Sequence, residues 1–228
     1  MKKVGVLVFP GSNCDYDAYY GVKKVLKQDA EFIWHKDIKL RYYDAIVIPG
    51  GFSYGDYLRA GAIARFSPIM EKVKEYAEEG NPVIGICNGF QILLETDLLP
   101  GALIPNDHLK FRCDDVNLKV INNDTLFTAR FEKDQVVQLP IAHQRGNYYA
   151  EDKVIEQLEQ ESRVVFKYCD ADGNITEKAN PNGSVNNIAG ILNDEGNVLG
   201  MMPHPERAME KILASTDGLE VFKSLLEM

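Results

Sequence analysis

Unbroken apolar runs, not alternating ones, dominate the first half of the chain. Residues 3–9, 44–48 and 82–86 are rich in Val and Ile, and no polar position interrupts them after their first residue. Such runs suit strands buried on both faces, as in a parallel sheet. Helical periodicity fills the intervals at roughly 15–27, 57–79 and 89–95. Strand–helix alternation predicts an open, mostly parallel α/β sheet with right-handed crossovers and helices on both faces. The second half reads as shorter strands at 116–121, 135–142, 164–168, 187–192 and 197–201, with a hairpin turn at 193–197. A polar helix is expected at 153–161, a further helix at 206–213, an amphipathic one at 218–227, and a surface loop at 170–184. No repeat or composition break divides the chain, so residues 1–228 are read as one domain.

Each of the three apolar runs of the first half ends in a Gly- or Pro-marked loop. In open α/β sheets the carboxyl edge of the strands carries the ligand crevice, so these loops point at one place. Composition narrows the classes. The chain has 228 residues and a formal net charge of −9, from 34 acids against 25 bases. That balance argues against nucleic acid or an anionic membrane as partner. No apolar run approaches membrane-spanning length. The opening Met1-Lys2-Lys3 and its apolar run resemble the start of a signal peptide. Pro10-Gly11-Ser12-Asn13 stops that run without a small-residue cleavage site, so a first strand and a cytoplasmic location are expected. Four cysteines with no C-x-x-C pair suit a reducing compartment.

The segment Gly85-Ile86-Cys87-Asn88-Gly89 carries the sharpest chemical signal. A nucleophile flanked by glycines between a strand and a helix is the pattern of a nucleophile elbow, here with Cys in place of Ser. The glycines let the backbone crowd at a strained turn. The helix N-terminus favours a thiolate, and the Asn88 N–H would face a developing oxyanion. The competing reading makes Cys87 a small buried hydrophobe.

A thiol nucleophile needs a base, and the base an orienting group. His204-Pro205-Glu206 supplies both: in a proline-stiffened extended segment, residues i and i+2 point to one side. A solvated loop histidine is the alternative. Metal ligation is disfavoured, because no second His or Cys stands at ligand spacing. Pro49-Gly50-Gly51 is the third piece, with the Gly51 N–H as a second oxyanion donor. A phosphate cradle there lacks its Gly-Lys-Ser/Thr, and a plain turn is also open. Glycine at 50 and 51 would let that peptide rotate at little steric cost, so the donor is expected to be easily lost. Cys14 lies near the crevice but has no evident base, Cys113 and Cys169 have no motif around them, and all three are read as structural.

Gly-x-Cys-x-Gly-x-Gln after an earlier Pro-Gly-Gly and before a late His-Pro-Glu resembles the class I glutamine amidotransferases. The segments 9–15, 50–59, 87–91 and 200–207 resemble one branch of that family, the glutaminase subunits of phosphoribosylformylglycinamidine synthase. The resemblance runs nearly end to end. It implies a flavodoxin-like fold and a Cys87–His204–Glu206 triad that releases ammonia from glutamine. It implies backbone donors at Gly51 and Asn88, and a role for Gln91 in positioning glutamine. It further implies no cofactor in this chain. ATP and Mg belong to a larger synthetase subunit, usually joined through a small third subunit. Relatives commonly read His-Gly-Glu-Gly where this chain has His143-Gln144-Arg145-Gly146, so only a weak substrate-side role is carried to His143. A glutaminase serving another synthetase, and a cysteine redox sensor of similar fold, are the alternatives; the sensor does not require His-Pro-Glu.

Overall fold

The computed structural model describes residues 1–227. Its strands are β1 (Lys3–Val8), β2 (Asp29–Trp34), β3 (Ala45–Ile48), β4 (Val83–Ile86), β5 (Ala102–Ile104), β6 (Arg112–Val120), β7 (Val136–His143), β8 (Asn147–Tyr149), β9 (Val164–Cys169), β10 (Ile188–Leu192) and β11 (Val198–Met201). The helices are α1 (Asp15–Tyr20), α2 (Pro68–Glu78), α3 (Asn88–Glu95), α4 (Asp152–Gln160) and α5 (Asp217–Leu226). The main sheet has the order β2-β1-β3-β4-β11-β10-β9-β6-β7. The first five strands in that order run parallel and the rest antiparallel. From β1 the chain crosses left to β2, and from β3 it crosses right to β4. Crossovers of one hand in opposite directions put α1 and α2 on opposite faces. The open α/β sheet expected from the apolar runs is present: β3, β4, β10 and β11 are buried along their whole length.

Chain direction brings the carboxyl ends of β1, β3, β4 and β11 to one edge, and β7 ends at the same edge. In a flat sheet β7 would lie about 24 Å from β4, five strand spacings away. The His204 N–H instead donates to the Pro140 carbonyl at 2.8 Å, and the Cys87 thiol lies 3.8 Å from the Ala142 carbonyl oxygen. The antiparallel half therefore bends back until the end of β7 stands over β4 and β11. Pro140 is tolerated because β7 is an edge strand, with one side free of ladder hydrogen bonds.

Helix α3 packs on a floor from which side chains have been removed. Gly85 and Gly200 are register partners on β4 and β11. A Cβ at Gly85 would meet Leu93, and one at Gly200 would meet the Phe90 ring. A Cβ at Gly89 would run into the Ile48 carbonyl oxygen of β3. Three glycines thus set how closely α3 approaches the sheet, and with it the position of Cys87.

Several expected elements differ. The helix expected at 57–79 begins only at Pro68, with Ser67 in extended geometry before it. Leu58 at φ 68° and Gly61 at φ 80° turn the preceding segment, and a Cβ at Gly61 would lie 2.9 Å from the Gln91 backbone. The helix at 15–27 stops at Tyr20 and continues as a wider π turn over Gly21–Val25. The helix at 206–213 is replaced by two short 3-10 turns, Pro205–Arg207 and Lys211–Leu213. Strand β2 was not expected. The loop at 170–184 is not simply a surface loop, because Asn182 and Ser184 are buried.

Gly89→Ala tests the packing directly. The added methyl must displace α3 from β3, which is expected to destabilise the fold by roughly 1–3 kcal/mol. Chemical denaturation measures this; an unchanged midpoint and slope would contradict the close approach described.

Candidate active site

Cys87 sits between β4 and α3 at φ 51°, ψ −104°, a conformation that L-residues rarely adopt. Holding it costs on the order of 1–3 kcal/mol, supplied by the surroundings. Its N–H donates to Met201 O at 2.8 Å, and its carbonyl accepts from the Gln91 N–H at 3.1 Å. The strand ladder and the first helical turn therefore grip one residue from two sides. Asn88 opens α3, so its N–H is among the donors that a helix leaves unpaired at its start.

His204 and Glu206 follow β11 and are 1% and 4% exposed. Glu206 Oε1 lies 2.6 Å from His204 Nδ1, while His204 Nε2 and Glu206 Oε2 are buried without a partner among the described residues. Burial alone would push the His204 pKa down. The Glu206 carboxylate and the Cys87 side chain outweigh it, and the pKa is raised well above its ordinary value. With Nδ1–H committed to Glu206, Nε2 is the atom left to face the thiol.

Gly50 and Gly51 follow β3. A Cβ at Gly50 would stand 2.7 Å from His204 Cε1, 3.1 Å from Cys14 Sγ and 3.4 Å from Cys87 Cβ. Only glycine fits between the imidazole and the two cysteines. The loop after β1 zips onto this segment: Cys14 N–H donates to Gly50 O at 3.3 Å and Phe52 N–H to Gly11 O at 3.0 Å. Ser12 and Gly51 form an antiparallel bridge between those bonds, so the Gly51 N–H turns away from the loop. Gly51 has φ 135°, and a Cβ there would lie 2.6 Å from the Asn13 nitrogen. The peptide expected to rotate freely is instead pinned on both sides.

Side-chain amides tie these loops together. Ser53 N–H donates to Asn88 Oδ1 at 3.0 Å, Asn88 Nδ2 to Gln91 Oε1 at 2.8 Å, and Gln91 Nε2 to the Arg145 carbonyl at 2.7 Å. Gln91 thus uses both ends of its amide on the protein. His143 is buried with Nδ1 3.2 Å from Asn106 Oδ1. Asn106 is oriented by donating to the carbonyls of Lys110 and His143 and accepting from the Gly146 N–H. His143 Nδ1 must then carry the proton, leaving Nε2 as a bare, buried acceptor. Burial, and then the charge on His204, push its pKa down to about 3, so the ring is neutral.

The structure therefore gathers Cys87, His204, Glu206, Gly51 and Asn88 at one edge, with Gln91 and His143 behind them. Sequence reasoning named Gly50 only as a flexible neighbour of Gly51 and read Cys14 as structural. Cys14 had seemed to lack a base, yet its thiol lies within 4.8 Å of ligand-type atoms of both His204 and Glu206. The Arg207 Nη2 donates to Cys14 Sγ at 3.2 Å, and Arg207 Nε to Asp17 at 3.0 Å. A guanidinium pressed on that thiol, and Glu206 already spent on Nδ1, make the cluster a poor cation site. The signal was Cys14's place after β1, at the same sheet edge as Gly50 and Cys87. Chemically, a strained thiol, a carboxylate-oriented imidazole and backbone donors suit nucleophilic attack on a carbonyl.

Residues 1–221 match the family described as the CobB/CobQ-like glutamine amidotransferase domain. The chain is 58% identical over 225 residues to phosphoribosylformylglycinamidine synthase subunit PurQ of Moorella thermoacetica, covering 99% of this chain and 95% of that one. It is 55% identical over 224 residues to the subunit of the same name from Koribacter versatilis, covering 98% and 97%. Among solved structures it is similar to a chain of PurLQS from Thermotoga maritima, with a TM-score of 0.87, 45% identity and coverage of 99% and 98%. The chain thus belongs to the CobB/CobQ-like glutamine amidotransferase family, in the branch of the PurQ subunits of phosphoribosylformylglycinamidine synthase.

Proposed function

We propose that this chain is the glutaminase subunit of a phosphoribosylformylglycinamidine synthase, and that it hydrolyses glutamine through Cys87, His204 and Glu206. The observation that carries the chemistry is the 2.6 Å contact of His204 Nδ1 with Glu206, which leaves the buried Nε2 to the thiols of Cys14 and of Cys87 on its strained turn. The raised pKa of His204 favours an imidazolium next to a thiolate. The thiolate attacks the side-chain amide carbon of glutamine, and the N–H groups of Asn88 and Gly51 hold the oxyanion. His204 protonates the departing ammonia, then takes a proton from the water that opens the thioester. Glu206 keeps the imidazole in the tautomer this requires. His143 Nε2, a neutral acceptor, suits the amide NH2 of glutamine, and Gln91 acts by bracing the loops around it.

Ammonia then passes to a larger synthetase subunit that holds ATP, Mg and the formylglycinamide ribonucleotide; a small third subunit joins the two. This chain needs no cofactor for its own step and works in the cytoplasm. Relatives named for this synthase, matched over nearly the whole chain, favour this branch over other glutaminases. The pinned Gly50–Gly51 segment gives coupling a route. A partner changes the donor by moving the loop after β1 rather than by releasing a free peptide.

Cys87→Ala is expected to abolish glutamine-dependent synthesis by the assembled enzyme while leaving synthesis from added ammonium intact. Equal loss of both would contradict the division of labour. His204→Ala is expected to cost several orders of magnitude in ammonia release, and Glu206→Gln less. The Glu206 change also has a signed effect on pH. Removing the carboxylate lowers the His204 pKa, so the imidazolium is lost at lower pH. The basic limb of kcat/KM against pH then moves down in Glu206→Gln, and an unmoved limb would remove Glu206 from the triad.

A further inference from the structure

Two residues of opposite charge contact the Asn88–Gln91 pair, Asp56 through its carboxylate and Arg145 through its backbone, and the triad uses neither. Asp56 lies on the loop after β3, with its Oδ1 3.4 Å from Asn88 Nδ2. Among the described residues no Lys, Arg or His forms an ion pair with it within 4 Å. Burial pushes its pKa up to about 6, only partly offset by Arg145, so it is an under-compensated carboxylate. The backbone around it is strained: Tyr54, Asp56 and Leu58 all have φ between 54° and 68°. Strain of this kind persists where the surroundings impose it, and it clusters at ligand sites.

Arg145 approaches Gln91 from the loop after β7. Its carbonyl accepts from Gln91 Nε2 at 2.7 Å, which fixes its backbone beside α3. The following Gly146 is held as firmly. Its N–H donates to Asn106, and its carbonyl accepts from Asn182 and Ser184. Arg145 lines a cleft of about 400 Å³ together with Gln91, Arg59, Arg65 and Glu95. Arg59 is paired with Glu95, and Arg65 lies over the Phe66 ring. Arg145 has no carboxylate within 4 Å among the described residues. A rigid backbone thus presents a guanidinium without a partner.

We propose that Asp56 and Arg145 form a charge clamp for the amino-acid end of glutamine, with Asp56 binding the α-ammonium and Arg145 the α-carboxylate. This rests on the reading of glutamine as substrate. With the amide carbon at Cys87 and its oxygen at the Asn88 N–H, three C–C bonds carry the α-carbon about 4 Å further. That reach ends beside the Asn88 and Gln91 side chains, where the Asp56 carboxylate and the Arg145 backbone make their contacts. A zwitterion satisfies both groups at once, and a desolvated carboxylate gains most from a cation that arrives with the ligand. The clamp selects a free amino acid over a simple amide.

The test is ammonia release by the full chain assembled with its synthetase subunit, for wild type, Asp56→Asn and Arg145→Gln. Asn is chosen at 56 because it tolerates positive φ. Three substrates are compared: glutamine, glutaramate, which lacks the α-amino group, and 4-aminobutanamide, which lacks the α-carboxyl group. Each variant is expected to lose about 10- to 100-fold in kcat/KM on glutamine, the range for a lost hydrogen bond to a charged group, with the loss carried by KM. Asp56→Asn is expected to leave glutaramate hydrolysis unchanged, and Arg145→Gln to leave 4-aminobutanamide hydrolysis unchanged. Equal losses on glutamine and on the matching analogue, or no loss on glutamine, would overturn the clamp while glutaminase activity stands. Absence of ammonia release by wild type would overturn the underlying reading as well.

Discussion

The turn at Cys87 is the constraint on which the rest depends. A strand buried on both faces must hand over to a helix within one residue, and that residue takes φ 51°. An ordinary turn would relax; this one is held because α3 lies against β3, β4 and β11 with no side chain between at Gly85, Gly89 and Gly200. The close approach places the Asn88 N–H, the thiol and the imidazole at one edge. Packing energy in the sheet is thereby converted into the position of three reactive groups.

The neighbouring loops are held by polar contacts. The Asn88–Gln91 amide chain reaches Ser53 on one side and Arg145 on the other, so the loops after β3 and β7 are referenced to the same helical turn. Asn106, Asn182 and Ser184 brace the β7 loop from below. Buried amides of this kind are stable only when fully paired, so one substitution in the network disturbs several neighbours. The charged groups at its rim, Asp56 and Arg145, have no ionic partner within 4 Å among the described residues.

The elements that place the site were legible in the sequence. Unbroken Val/Ile runs gave β1, β3 and β4 nearly to the residue, because burial on both faces leaves no polar position to confuse the pattern. The Gly-flanked Cys87 and the His204-Pro205-Glu206 spacing pointed to one edge. What stayed hidden was non-local. Nothing near residues 140–146 tells that the antiparallel half bends back over the crevice. The place of Cys14 after β1 put it at the same edge, but nothing near it tells that its thiol reaches His204 and Glu206. The edge strand β2 buries only Ala30 and Ile33, a weaker signal than the runs beside it. The helix expected from residue 57 ignored Ser67-Pro68, a cap and a first-turn proline that mark the true start. The helix expected from Glu206 failed because Glu210 is extended, with Ala208 and Met209 buried between two short turns.

The account stands or falls on whether the strained turn and the pinned glycine loop aim their N–H groups at one point. The direct measurement is a crystal structure of the assembled enzyme with a glutamyl thioester trapped on Cys87. The predicted result places the thioester oxygen about 3 Å from both the Gly51 and Asn88 nitrogens, with the loop after β1 still bonded to Gly50 and Phe52. A thioester oxygen turned away from both nitrogens, or an acyl group carried on another residue, would contradict it.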